Sequence, residues 1–160
     1  MEDITIRPAR AEDEAAVVAI ARAAWTPIYE EFRRRLGDEL FSLFYPTPLD
    51  DKEAQVKATL LNGGCFVSEL EGRVVGFINV SLDEAKRVGR IGNNAVDPTI
   101  RGRGIGGRQY DFVKQHLRER GALAVAVMTG LDDAHAPARR AYEKAGFELN
   151  LPSVNYFQKL

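Results

Sequence analysis

The chain has 160 residues, 45% of them hydrophobic and 28% charged, with a formal net charge of −1. That size suits one domain with a packed core, expected over residues 1–160, and the near-neutral balance argues against nucleic acid or an anionic membrane as partner. No apolar run approaches the roughly 20 residues of a membrane span, Met1-Glu2-Asp3 leads into a strand-like segment rather than a secretory signal, and the one cysteine, Cys65, precludes an internal disulfide and suits a reducing cytoplasm.

Asp3–Pro8 alternates, with Ile4 and Ile6 on one side, and predicts a first strand. Glu12–Trp25 predicts a helix with Val17, Ile20, Ala21 and Ala24 as its apolar stripe. Arg10 stands where a capping Ser, Thr or Asp is usual, and Glu12 and Asp13 sit where they favour the positive end of the helix dipole instead. From Pro27 to Tyr45 the residues Ile28, Phe32, Leu36, Leu40 and Phe44 recur at helical spacing, with Gly37 dividing two helices. Arg33-Arg34-Arg35, flanked by acids, reads as a solvated face. Pro46-Thr47-Pro48 breaks the chain, and Leu49–Leu61 predicts a further helix ended by Asn62-Gly63-Gly64.

Cys65–Leu70 and Val74–Leu82, joined at Glu71-Gly72-Arg73, predict a β-hairpin, with Cys65 buried and without chemistry. Arg87–Val96 predicts a third strand, interrupted at Gly92-Asn93-Asn94 by residues depleted from strand interiors. A β-bulge or local splaying explains that interruption. A glycine-rich stretch then opens a helix to about Arg120, with Tyr110, Val113 and Leu117 as its stripe and His116 as a surface residue. Leu123–Met128 predicts a buried strand, Ala134–Ala145 a helix stopping at Gly146, and Phe147–Leu149 and Val154–Leu160 closing strands. The order predicts an α/β fold around a mixed sheet of about six or seven strands.

The segment Val96-Asp97-Pro98-Thr99-Ile100-Arg101-Gly102-Arg103-Gly104-Ile105-Gly106-Gly107 carries the chemistry. Its glycines leave backbone N–H groups unshielded, and the helix that begins there adds the positive end of its dipole, which together make an anion site. A nucleotide P-loop is excluded, because no Gly-x-x-x-x-Gly-Lys-[Ser/Thr] occurs. Gly102, Gly104 and Gly107 do spell Gly-x-Gly-x-x-Gly, with Asp132 beyond the next strand. A dinucleotide fold nevertheless needs a second half that the residues left after this point cannot build. A generic turn without a ligand is the third reading.

A fourth reading rests on likeness. Val96-Asp97-Pro98-x-x-Arg101-Gly102-x-Gly104-Ile105-Gly106 resembles the acyl-CoA signature of the GNAT N-acetyltransferases, Gln/Arg-x-x-Gly-x-Gly/Ala, with Arg101, Gly104 and Gly106 in register. Ala138-x-x-x-Tyr142-Glu143-Lys144-x-Gly146-Phe147 resembles the second block of that family, one helix, one strand and a turn later. The element order fits as well, so the resemblance covers essentially the whole chain. It implies a mostly antiparallel sheet with a central splayed parallel pair.

The resemblance also implies acetyl-CoA as cosubstrate, with no metal. The pyrophosphate belongs on Arg101, Gly102, Arg103, Gly104, Ile105, Gly106 and Gly107. The pantetheine arm belongs between Gly92–Val96 and Leu123–Met128, its thioester carbonyl on a backbone N–H of Ala95 or Val96, with His135 and Ala138 at the cofactor's side. His135 stands where relatives often carry Asn; an exposed helix-start residue is the alternative. Tyr142 matches the family's general acid. The base stays open. Relatives often carry a carboxylate on the strand before the loop, whereas this chain has Asn93 and Asn94, which cannot accept a proton at neutral pH. Waters leading to Glu30, Glu69 or Asp83, or an acceptor that arrives neutral, are the remaining routes.

Acceptor selection is implied for the segment holding Trp25, Tyr29 and Glu30, with Asn94 beside it; an aromatic wall with a carboxylate suits a cationic amine, and ordinary core packing is the competing explanation for the aromatics. The expected function is acetyl transfer to a small-molecule or peptide amine, with a homodimer through the closing strands as an open possibility. A non-catalytic acyl-CoA-binding module is the rival, kept open by the missing strand carboxylate.

Overall fold

The computed structural model describes residues 4–100 and 102–160; Asp3, expected in the first strand, lies outside them. The elements are β1 (Ile4–Pro8), α1 (Glu14–Phe44), α2 (Pro48–Leu60), β2 (Cys65–Leu70), β3 (Arg73–Asp83), β4 (Val88–Val96), α3 (Ile105–Glu119), β5 (Ala124–Val127) and α4 (Ala136–Lys144). The strands lie side by side in chain order. Neighbours run antiparallel as far as β4, and β5 then runs parallel to β4 through the α3 crossover. Among the described residues no helix is long and apolar enough to cross a membrane.

Side-chain alternation along the strands sorts the core onto two faces. Cys65, Val67 and Phe77 pack with Val17, Ile20, Ala21, Val56 and Leu60 of α1 and α2. Phe66, Ile78, Val80 and Ile91 pack with Tyr110 and Val113 of α3 and Tyr142 of α4. Phe77 is fully buried, and its truncation to Ala would cost about 3–5 kcal/mol. Burial pushes the Cys65 thiol up to about 12, so it stays a protonated core residue.

The long helix differs from its expected form. It continues through Pro27, which has no N–H to give the Ala23 carbonyl one turn back; one residue earlier, Thr26 Oγ1 donates to the Arg22 carbonyl at 2.7 Å. The break falls at Gly37, whose φ of 76° and ψ of 161° leave the helical region. At the helix start, Asp13 does more than favour the dipole. Its buried carboxylate accepts from the Arg10 N–H at 2.8 Å and from Arg7 at 2.7 and 2.9 Å, and Arg7 also holds Glu69 at 2.8 Å. Hydrogen bonding from Arg7 keeps the Asp13 carboxyl below the usual carboxylate range. This network ties β1, β2 and α1 together.

Three expectations are corrected. The sheet has five strands among the described residues, not six or seven, because residues 147–160 join no ladder. Instead Phe157 packs edge-on against Phe44 of α1 with ring centres 5.0 Å apart, and Lys159 pairs with Glu39. Secondly, β5 is an edge strand rather than a buried one, and the parallel pair sits at the sheet's edge rather than its centre; Leu123 and Met128 are exposed. Thirdly, His116 is half-buried, with its ring 4.9 Å from Phe66 and stacked on Phe112.

Candidate active site

An open cleft of about 1190 Å³ runs from the glycine loop, past the free edge of β4, to α1 and α2. Two irregularities in β4 create it. Opposite β3, Ile78 faces Asn94 but Val80 faces Ile91, so an extra residue is inserted at Gly92-Asn93. On the other side, pairing with β5 ends at Ile91–Val127, and from Gly92 onward the two strands part. Bulge and splay therefore both occur, and one edge of Gly92–Val96 faces the cleft.

The loop at the cleft's other end is shaped by backbone. Asp97 Oδ1 accepts from the Thr99 N–H at 2.9 Å and from its hydroxyl at 2.7 Å, fixing the turn that leaves β4. Gly102 and Gly104 take left-handed φ values of 87° and 73°, which side chains rarely adopt. A Cβ on Gly102, Gly104 or Gly107 would meet nothing within 4 Å. The first-turn amides of α3 have no helical acceptors, and they border that open space. Its shape and polarity fit a phosphate-bearing ligand. Arg103 lines the cleft as well; Arg101 lies outside the described residues.

On the α3/α4 side of β4, Asn94 joins two tyrosines. Its Nδ2 donates to the Gly92 carbonyl at 3.0 Å and to Tyr142 Oη at 3.1 Å, while its Oδ1 accepts from the Tyr110 hydroxyl at 2.9 Å. The carbonyl can only accept, which fixes which end of the amide faces Tyr142. Tyr142 Oη is thus an acceptor toward Asn94 and keeps its own hydrogen to give elsewhere. Burial raises the pKa of both phenols; the hydrogen bond from Asn94 offsets part of that at Tyr142. Tyr142 is a proton holder at neutral pH.

The opposite side carries a charge. Lys52 of α2 is 8% exposed. Its Nζ donates to Gln55 Oε1 at 2.9 Å and Asn93 Oδ1 at 3.0 Å and lies 4.5 Å from the centre of the Trp25 ring. No carboxylate among the described residues reaches within ion-pair distance of it. Burial alone lowers its pKa.

His135 faces the cleft from the start of α4. Its Nδ1 lies 2.7 Å from Asp132 Oδ2, and Asp132 also accepts from the His135 backbone N–H. With Nδ1 donating to the carboxylate, Nε2 carries the lone pair of the neutral ring. Gly130 is required beside this pair, since a Cβ there would stand 2.4 Å from Asp132 and 2.5 Å from His135. Arg139 donates to the carbonyls of Gly130 and Asp132, both at 2.7 Å, and holds the turn.

Of the residues singled out by sequence, Trp25, Asn94, Ala95, Val96, Gly102–Gly107, His135, Ala138 and Tyr142 line this cleft. Tyr29 and Glu30 do not: Tyr29 packs against Phe32 and Tyr45, and Glu30 is exposed. Lys52, Tyr110 and Asp132 were missed. Lys52 left a signal, for it shares the i, i+4, i+8 stripe with buried Val56 and Leu60. Tyr110 left none beyond its core position, and Asp132 read only as a distant acid.

Residues 20–147 match the Acetyltransferase (GNAT) family. A mycothiol acetyltransferase of Saccharomonospora viridis is 33% identical over 157 residues, covering 92% of this chain and 46% of that protein. The chain thus spans less than half the length of the curated relatives it first matches. Among solved structures, a GNAT family acetyltransferase from Brucella melitensis in complex with acetyl-CoA aligns with a TM-score of 0.59 and 22% identity over 97% of this chain and 95% of that one. An aminoglycoside N-acetyltransferase in complex with CoA aligns with a TM-score of 0.61 and 17% identity over 100% and 97%. At such identities these two likenesses are of fold.

Proposed function

The chain belongs to the GNAT acetyltransferase family, and on that premise we propose that it is an N-acetyltransferase that moves an acetyl group from acetyl-CoA to a primary amine within one ternary complex. The hydrogen-bond direction at Tyr142 is the observation that carries this reading. A phenol that accepts from Asn94, has its proton uncommitted and faces the cleft is arranged to protonate a departing thiolate.

Bound acetyl-CoA supplies a thioester whose C–S bond breaks as the amine's C–N bond forms. The amides of Gly102–Gly107 hold the pyrophosphate, and the free edge of Gly92–Val96 receives the pantetheine arm, where an N–H of Ala95 or Val96 stabilises negative charge on the carbonyl oxygen. His135 Nε2, aligned through Nδ1 by Asp132, accepts from an amide of that arm. Tyr142 gives up its proton from Oη, and the hydrogen bond from Asn94 Nδ2 stabilises the oxygen left behind. The ammonium of the acceptor loses one proton to water before it attacks, and once the C–N bond has formed the nitrogen gives up a second, through water, that restores the Tyr142 phenol. For an amine of pKa about 10.4, reaching the neutral form at pH 7 costs roughly 4.6 kcal/mol.

The test is release of CoA thiol in an amine screen with acetyl-CoA, comparing wild type with Tyr142→Phe. Amine-dependent release that falls at least 100-fold in the variant is expected. Release that is unchanged by the variant contradicts the assignment of Tyr142, and CoA binding without turnover of any amine favours a non-catalytic binding module.

A further inference from the structure

The Lys52 ammonium stands at the acceptor end of the cleft, and no carboxylate among the described residues neutralises it. Its three hydrogens have three destinations: the Gln55 oxygen, the Asn93 oxygen and the face of Trp25. Each of these stabilises the charged form. A neutral amine would turn its lone pair onto the negative face of the indole, so this lysine is poorly placed to act as a base. A buried charge without a counter-charge exerts its pull through a region where water screens weakly.

The acids that line the cleft, Asp111 and Asp133, do not reach Lys52. The other lining residues at that end are Ala24, Trp25, Pro27 and Ile28, which are apolar. A cationic group would be repelled there. Gln55 is exposed on α2 and free to swing outward, releasing one Nζ hydrogen to an incoming oxygen. Asn93, whose oxygen is taken by Lys52, keeps its amide nitrogen as a second donor at the same wall. Two donors of this kind match the two oxygens of a carboxylate.

We propose that Lys52 and Asn93 bind a carboxylate carried by the acceptor, so that the acceptor is an amino acid whose amine lies beside its carboxylate. Asn93 and Asn94 are consecutive, with Cα atoms about 3.8 Å apart, and they serve opposite sides of the same strand edge. A small amino acid anchored at Asn93 thus lies on the strand edge that also carries Asn94, the hydrogen-bond partner of Tyr142. This assignment rests on the acetyl transfer proposed above and replaces the cationic acceptor that Glu30 suggested.

The experiment measures thiol release from acetyl-CoA with the proteinogenic amino acids, their α-amides, spermidine and kanamycin, alongside CoA affinity by calorimetry. At least one amino acid is expected to be acetylated with kcat/KM tenfold or more above its amide. Lys52→Met is expected to raise KM for that amino acid at least tenfold, leave kcat within a few-fold, and erase the preference for acid over amide. Lys52→Arg should retain the preference, and Asn93→Ala should weaken it if Lys52→Met proves insoluble. Turnover of amides, spermidine or kanamycin as good as that of every amino acid overturns the proposal while acetyl transfer stands, and so does a preference that survives Lys52→Met. Wild type that fails to bind CoA overturns the transferase reading itself.

Discussion

The two sides of β4 at the cleft use opposite electrostatics although they are built from adjacent asparagines. Toward α3 and α4, Asn94 sits among neutral groups, donating to the Gly92 carbonyl and Tyr142 and accepting from Tyr110, which leaves the Tyr142 hydrogen to give. Toward α1 and α2, Asn93 holds a buried ammonium that no carboxylate among the described residues balances. The neutral side suits an acid that must keep its proton until sulfur departs. The charged side suits recognition, because an unbalanced charge discriminates between ligands by sign. A one-residue bulge lets consecutive side chains serve both purposes, and the early end of the β4–β5 ladder exposes both to a ligand.

Breaking the neutral side should have the largest effect. Tyr142→Phe keeps the ring's packing and removes the proton, so kcat is expected to fall about 10²–10³-fold with little change in KM, read by steady-state thiol release. Next comes the phosphate end, common to both sides. Gly107 has room for a side chain and no left-handed φ, so Gly107→Glu should leave thermal stability intact or improve it. The same change puts a negative charge where pyrophosphate is expected and should weaken CoA binding at least tenfold by calorimetry.

Asn94→Ala is smaller in effect. It frees Tyr142 to rotate, and kcat is expected to fall about tenfold while CoA affinity holds, since the lost bond is worth roughly 0.5–1.5 kcal/mol. Smallest of all is the pH dependence on the alkaline side. The proposed acid, Tyr142, has to act in its protonated form, and burial raises its pKa above the ordinary phenol value of 10.0. The acid form therefore persists to higher pH, and log kcat should show no descending limb below pH 10. A fall centred near pH 8 would mean that a different group supplies the proton.

The cleft was legible in sequence where its shape depends on backbone. Gly92-Asn93-Asn94 announced an irregular strand because glycine and asparagine fit strand interiors poorly, and Gly102–Gly107 announced a loop of unshielded amides opening a helix. Lys52 was hidden for a different reason. A lysine on a helix is ordinarily solvated, and only the packing of α2 against α1, which lays Trp25 over it, makes it buried. The closing strands were overread: alternation in Val154–Leu160 resembles a strand, but a strand exists only where a neighbour accepts its hydrogen bonds. Here Phe157 instead turns to Phe44 of α1. The acid at residue 13 was legible as a helix-start residue, yet its partner Arg7 was not, since nothing local indicates which cation a buried carboxylate will find.

The most direct test is a calorimetric titration of the wild-type protein with CoA, NAD and ATP in parallel. CoA is expected to bind at one site per chain, and the other two to bind far more weakly or not at all. Binding of NAD without CoA would contradict the assignment of the Gly102–Gly107 loop and of everything placed around it.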